Sequence, residues 1–431
     1  MPSFQSLSTD HGLAVFVRPT TQFKTTIIQL FIDRPFADDY SLFAVLPHVL
    51  KRGSMDFPDS LSLERRFDQL YGAGFDVSTH RLGERHVVEF RLEVADQLFI
   101  SESEDLLHSA LHTLAGIVQR PLVEDGVFCR EYVAQEKEAQ VRAIQSIYND
   151  KAEYAHMRCL QEMFAGEPFA RLAIGEVDRV AAITPAKLWR LYQRVLRSAN
   201  FQVFVTGNVG VEHVATLCSQ AFPQPLGQQR SEPIVAKLLQ PRPSRELQEE
   251  QPVAQGKLVL AYRTGIGRND PLFLPLLIYN GLLGGYSHSK LFQTVREQAS
   301  LAYDCSSDLI VTKGVLLVEV GISREALGAA RQIIDQQILE LADGSWTTDE
   351  WGKTLLALQN SLRGLVDRPG RLALTHFDRL IHGQAETEEQ IIDRLQTVTR
   401  EQVLTVAQRV QLDTAFFLRG TSEDEENDTC S

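Results

Sequence analysis

Three groupings of side chains in this sequence have types and spacings that could do chemistry. The stretch YSLFAVLPHVLKRGS, Tyr40 to Ser54, reads as an amphipathic helix ended by glycine, with His48 in its last turn and Pro47 just before it. Imidazole is a common metal ligand, so a histidine there raises the question of a zinc centre. In HSALH, His108 and His112 stand at i and i+4 on one helical face, where both rings could reach one ion. Leu111 occupies the place of a base, no third ligand is evident, and Leu106, Leu107, Leu111 and Leu114 give that helix a core stripe, so a surface histidine pair is the simpler reading. The glycines of NGLLGGYSHSK (Gly281, Gly284, Gly285) permit a tight or mobile loop. They could cradle phosphate, but no GKS/T follows and the charge is wrong.

A chain of 431 residues exceeds one hydrophobic core and implies at least two domains. The formal charge is −13, and the tail TSEDEENDTCS holds five acids and no base, which leaves −8 on the body. That balance argues against nucleic acid or an anionic membrane as partner, and the tail reads as a solvated, disordered end. Cys129, Cys159, Cys218, Cys305 and Cys430 are odd in number and widely spaced, which fits reduced thiols rather than a disulfide frame. The N-terminus lacks a signal-peptide pattern and LFLPLLIY is too short to cross a bilayer, so a cytoplasmic, soluble protein is expected.

The elements that must position these residues follow from periodicity. Alternation predicts a strand over Thr25 to Asp33, then the helix bearing His48, then a helix opened by Asp59 or Ser60 and closed by Gly72 to Gly74. A hairpin turning near Gly83 comes next, and helices are predicted from Asp96 to Ile117 and from Val123 to Phe164. A proline-rich polar segment over 226–252 reads as a linker. Beyond it the order repeats: strand GKLVLAYRTG, helix DPLFLPLLIYNGLLGG, helix HSKLFQTVREQAS, strands LAYDCSSDLIV and GVLLVEVGIS, and more helix. ITPAKLWRLYQRV and VTREQVLTVAQRV share their spacing, and each precedes an apolar strand ending in glycine. The pattern predicts a duplicated α+β unit.

Duplication, strand-then-helix entry, and the strings GLLGGYSHSKLFQTVREQASLAY and PFARLAIGEVDRVAAITPAKLWRLYQRVLRSANFQVFVTGNV together resemble the pitrilysin/insulinase family of zinc peptidases, which includes the mitochondrial processing peptidase. The resemblance implies two homologous domains, each a mostly antiparallel sheet with helices packed on one face, forming a clam-like chamber. It divides the chain into a peptidase-like domain over 1–225, the linker, a second such domain over 253–420 and the acidic tail over 421–431.

Active members of that family carry HxxEH, two histidine ligands and a glutamate base, plus a later glutamate ligand. Placed on that motif, Ala44 takes the first histidine, Pro47 the glutamate and His48 the second histidine, while the later ligand falls at Ala143, with Glu136 and Glu138 upstream. One imidazole without partners or base makes no hydrolytic site, so no metal is expected in this chain and His48 reads as a remnant at a helix end. Pro47 should kink its helix or confine it to Val49 onward.

The resemblance also implies a substrate-holding pair, Arg296 and Tyr303, the first donating to a peptide carbonyl and the second to a developing oxyanion. Read by themselves, Arg296 is equally an exposed helical cation paired with Glu297 or Asp270, and Tyr303 a half-buried strand aromatic. The leading expectation is a non-catalytic subunit that binds peptide and pairs, as a heterodimer, with a homologous HxxEH-bearing subunit holding the zinc. The alternatives are a stand-alone peptide-binding or scaffold protein that takes a peptide at a sheet edge, with or without self-association, and an active peptidase with a displaced site.

Overall fold

The computed structural model describes residues 4–9, 11–100, 105–227, 242–253, 255–384 and 386–420. Its strands are β1 (Gln5–Ser8), β2 (Ala14–Pro19), β3 (Thr25–Pro35), β4 (Gly74–Leu82), β5 (Arg85–Ala95), β6 (Val123–Glu124), β7 (Val127–Phe128), β8 (Asn200–Gly207), β9 (Arg245–Gln251), β10 (Gly256–Arg263), β11 (Ala302–Ile310), β12 (Val315–Ile322) and β13 (Gln411–Gly420). The helices are α1 (Tyr40–Leu50), α2 (Ser60–Gln69), α3 (Leu106–Gln119), α4 (Arg130–Ser146), α5 (Lys151–Met163), α6 (Val177–Ala181), α7 (Pro185–Ser198), α8 (Val211–Ala221), α9 (Phe273–Leu283), α10 (Leu327–Ala342), α11 (Thr348–Gly364), α12 (Pro369–Ile381), α13 (Glu388–Gln396) and α14 (Arg400–Ala407).

The duplication is plain in the sheets. One sheet runs β1-β2-β8-β3-β5-β4 and the other β9-β13-β10-β12-β11, so removing β1 leaves the same order. In each, one pair is parallel, β2 with β8 and β9 with β13, and the remaining pairs are antiparallel. The two similar sequence strings become α7 leading into β8 and α14 leading into β13, the matching position in each sheet. This is an α+β fold of two homologous domains.

Each sheet buries both faces. In β3, Ile28, Leu30 and Ile32 join the core beneath α1, α3, α7 and α8, while Phe31 on the opposite face stacks on Phe377 of α12 at 4.6 Å. In the second sheet, Leu258 and Leu260 face α9, α10 and α14, while Val259 and Ala261 meet Ala155, Cys159 and Met163 of α5. The covering helices are exchanged in sequence, because residues 146–170 pack with the second unit and residues 367–383 with the first. The units are therefore discontinuous, where sequence alone suggested a first domain over 1–225 and a second over 253–420.

Two local readings are corrected. The single helix expected from Val123 to Phe164 is a tight hairpin followed by α4 and α5. Asp125 and Gly126 take φ of 52° and 78° in the hairpin turn, which an Asp-Gly pair favours. Asp150 caps α5 by accepting from the backbone of Ala152 and Glu153, and the break before it is where the chain passes to the other unit. The expected linker over 226–252 contains β9, whose alternating exposure makes it a polar edge strand beside β13. Residues 228–241 of that segment and the tail over 421–431 lie outside the described residues. No helix among the described residues is long and apolar enough to cross a membrane.

Candidate functional site

The helix α1 begins after Asp39, whose carboxylate pairs with Arg34 and Arg194 instead of capping the helix. It then runs unbroken through Pro47 to Leu50, and Lys51 donates from its backbone to the Pro47 carbonyl at 3.0 Å. Confinement to Val49 onward does not occur, because Pro47 is buried with Ile32, Leu46 and Tyr192, and that packing holds the helix across the missing hydrogen bond. Ala44, in the place of the first histidine, is 1% exposed.

His48 is half-buried and lines a solvent-open cleft with Glu136 of α4. The sequence puts Glu136 only upstream of the expected ligand position Ala143, and the structure brings it to one cleft with His48. Ala143 is exposed and does not line the cleft. Two cations do, Lys51 and Arg52. Arg52 Nε lies 3.5 Å from Glu136, its guanidinium covers the Tyr132 ring at 5.4 Å, and Lys51 Nζ reaches Asp76 at 3.2 Å. Burial pushes the His48 imidazole down, with Lys51 adding to the effect and Asp76 opposing it. Burial also pushes the Glu136 carboxyl up, against the pull of Arg52, Lys51 and Arg142.

These residues do not fit zinc. Ala44 and Ala143 supply no ligand, Pro47 supplies no base, and the one imidazole, His48, and the carboxylates of Glu64 and Glu136 share their cleft with two positive charges that would repel a divalent ion. Among the described residues no group of three or more His, Cys, Asp or Glu side chains could hold a metal. His108 and His112 come together on α3 with ring centroids 4.3 Å apart and remain a half-buried pair. Burial, then His108 and Arg120, push His112 down.

Arg296 and Tyr303 belong to the second unit. The expected α-helix over HSKLFQTVREQAS widens into a π-helix over Phe292–Gln298, a geometry frequent at functional sites and one that sequence pattern does not signal. Arg296 sits 4.6 Å over the Phe292 ring and 3.6 Å from Glu297, with its side chain 37% exposed. Of the two carboxylates expected beside it, Asp270 instead faces Arg409 at 3.9 Å. Ser300 then adopts φ of 52°, and Tyr303 enters β11 where the register shifts between Ala302 and Cys305.

The glycines before Arg296 serve packing. A Cβ on Gly281 would stand 2.6 Å from Thr354 Cγ2, and one on Gly284 would stand 2.7 Å from the Ser307 backbone nitrogen. They let α11 and β11 close on α9, which disposes of the phosphate reading.

The chain is similar to known proteins along most of its length. Residues 182–358 match the family described as "Peptidase M16 inactive domain". The chain is 33% identical to the "Probable inactive metalloprotease YmfF" of Bacillus subtilis, over 98% of this chain and 99% of that one. It is also similar to a solved conserved protein from Enterococcus faecalis, with a TM-score of 0.85 and 26% identity over 98% of this chain and 99% of that one. A peptidase M16 inactive domain from Pseudomonas fluorescens shares the fold, with a TM-score of 0.75 and 20% identity over 97% and 98% of the two chains.

Proposed function

This chain belongs to the M16 (pitrilysin/insulinase) metallopeptidase family, and from that membership we propose that it is the peptide-binding, non-catalytic subunit of a two-chain peptidase. It is a homologue of an inactive M16 metalloprotease, and HxxEH is absent from the position where that family carries it. In this reading a homologous HxxEH-bearing chain supplies the zinc and the base, and this chain contributes Arg296 and Tyr303 to hold the peptide.

The observation that carries the proposal is an asymmetry of loss. Two ligands and the base are gone from the first unit, while Arg296 stays half-exposed on its π-helix, with its guanidinium beside Glu297 and over Phe292. A guanidinium so placed can exchange a neighbouring carboxylate for a peptide carbonyl at little cost, since exposed ion pairs are weak. The test is co-expression with an HxxEH-bearing relative from the same genome. Co-purification and cleavage of unstructured peptides by the pair, but by neither chain alone, is expected. In that complex, at saturating partner, Tyr303→Phe should lower turnover by about a hundredfold or more and Arg296→Ala should weaken peptide binding. Failure of the HxxEH-bearing relatives from the same genome to co-purify with this chain would favour the stand-alone reading.

A further inference from the structure

The first unit has a second cleft, of about 580 Å³, walled by α3, α7 and the segment that follows α8. Its floor is apolar, with Ala115, Leu196, Pro223 and Leu226. Among the described residues its charged and titratable lining is His112, Arg120 and Arg197, with no carboxylate, against the trend of a chain whose net charge is −13. Arg120 is held at the rim by Asp56 at 2.6 Å. The Arg197 side chain makes no hydrogen bond or ion pair among the described residues, so its charge is open to a ligand.

Four glutamines complete the wall. Gln119 donates to the Ala221 carbonyl at 3.2 Å, while the amides of Gln193, Gln220 and Gln224 make no hydrogen bond among the described residues. Each amide offers a donor and an acceptor. A phosphate ester dianion or a simple carboxylate only accepts and would leave every glutamine carbonyl unused, and inorganic phosphate brings at most one or two O–H donors. A polypeptide backbone presents N–H and C=O groups alternately and answers both, while acidic side chains answer the guanidinium.

We propose that this cleft binds an acidic segment of polypeptide, at a site separate from the degenerate metal cleft. Arg197 supplies the principal charge, the free glutamine amides pair with the peptide backbone, and the proline-edged floor receives an apolar side chain. The proposal does not depend on pairing with a catalytic subunit, so either can fail alone.

The probe is a labelled peptide of sequence TSEDEENDT, the composition of the chain's own acidic end, set against its neutral counterpart TSQNQQNNT, with binding to the full-length chain read by fluorescence anisotropy. The acidic peptide should bind about tenfold or more tightly than the neutral one, and added salt should narrow the gap. Arg197→Glu should weaken the acidic peptide by about tenfold or more, whereas Arg190→Glu, the same charge change on α7 outside the cleft, should not. If Arg197→Glu does not fold, Arg197→Gln is used in its place. Equal binding of the two peptides, or equal losses from the Arg190 and Arg197 variants, would overturn the proposal. So would full displacement of the peptide by inorganic phosphate, which would leave a plain anion site.

Discussion

In the first unit the helix that follows the central strand ends at Lys51 beside an open cleft, and in the second the matching helix ends at Gly284 in a closed contact. The two helices, α1 after β3 and α9 after β10, hold the same place in the same strand order. Beyond α1 stand Lys51, Arg52, Phe67 and Phe75, whose bulk keeps α2, α4 and β4 apart and leaves His48 and Glu136 facing solvent. Beyond α9 the glycines admit neighbours: Ser307 donates to the Gly284 carbonyl at 3.1 Å, and its hydroxyl donates to Asn280 Oδ1 at 2.7 Å. A duplicated fold thus holds a chemical site only where side-chain volume leaves room for one.

The covering helices sharpen this contrast, and the largest expected effect lies there. Phe377 is fully buried against Phe31 and Phe204, with ring centroids at 4.6 and 6.4 Å, whereas α5 covers the second sheet with the smaller Ala155 and Cys159. Phe377→Ala should cost about 3–5 kcal/mol, and hydrogen exchange should show the loss in β3 and β8 although the mutation lies in the other half of the sequence. Cys159→Ala should cost about 1 kcal/mol. Equal losses would mean that the two covers are energetically alike.

The ends of the two helices give the next effect. Gly284→Ala drives a Cβ against the β11 backbone and should cost about 1–3 kcal/mol in urea unfolding. His48→Ala, at the open end, should cost under about 1 kcal/mol and leave the metal content of the purified chain unchanged. Stoichiometric zinc lost with His48 would restore a metal centre to the first unit and break the comparison.

Much of this was legible in the sequence, in proportion to how local the signal is. The β3 alternation, the Gly83 hairpin, the Asp59 cap and the two strings that become α7-β8 and α14-β13 all depend on neighbours along the chain. The exchange of α5 and α12 was not legible, because an amphipathic helix records that one face is buried and not which sheet buries it. Asp125-Gly126 and the cap at Asp150 were available signals that the helix before Phe164 was interrupted. The π-helix under Arg296 and the cations beside His48 are products of packing. Glu136 was named only as a neighbour of the missing ligand, yet it, not Ala143, shares the cleft.

A smaller effect separates the units by pH. Glu89 sits between Phe31 and Ser78 in the first sheet, and Glu319 between Val259 and Ser306 in the second, so the two carboxylates are equivalent. His80 of the same sheet holds Glu89 at 2.9 Å, while Glu319 takes His156 from α5 at 2.7 Å. The hydrogen bond to Glu319 pushes the His156 imidazole up, burial opposes it, and Glu319, Glu153 and Asp308 add to the rise. A raised histidine contributes stability that is fully present below its unfolded pKa of about 6.5 and is lost as pH rises through the folded value. His48, pushed down, has the opposite sign: its contribution is present above about 6.5 and is lost as pH falls through the folded value. His156→Gln should therefore destabilise the protein more at pH 6 than at pH 8, and His48→Gln should not follow that trend. Parallel trends in the two variants, from melts across pH, would show that the clasp on α5 has no special role.

The smallest effect tests whether glycine itself or its surroundings sets the contrast at α9. Gly281 of α9 and Gly352 of α11 both lie inside helices of the second unit. A Cβ on Gly281 would meet Thr354 at 2.6 Å, while one on Gly352 would meet nothing within 4 Å. Alanine restricts the unfolded chain and has the higher helix propensity, so an unobstructed substitution should stabilise by about 0.5–1 kcal/mol. Gly352→Ala should show that gain in urea unfolding. Gly281→Ala carries the same propensity gain but must also push α11 away from α9, so its net change should be a loss. If both variants gained stability, α11 would have to move aside easily, and the closed end of the second unit would be a matter of occupancy rather than of fit.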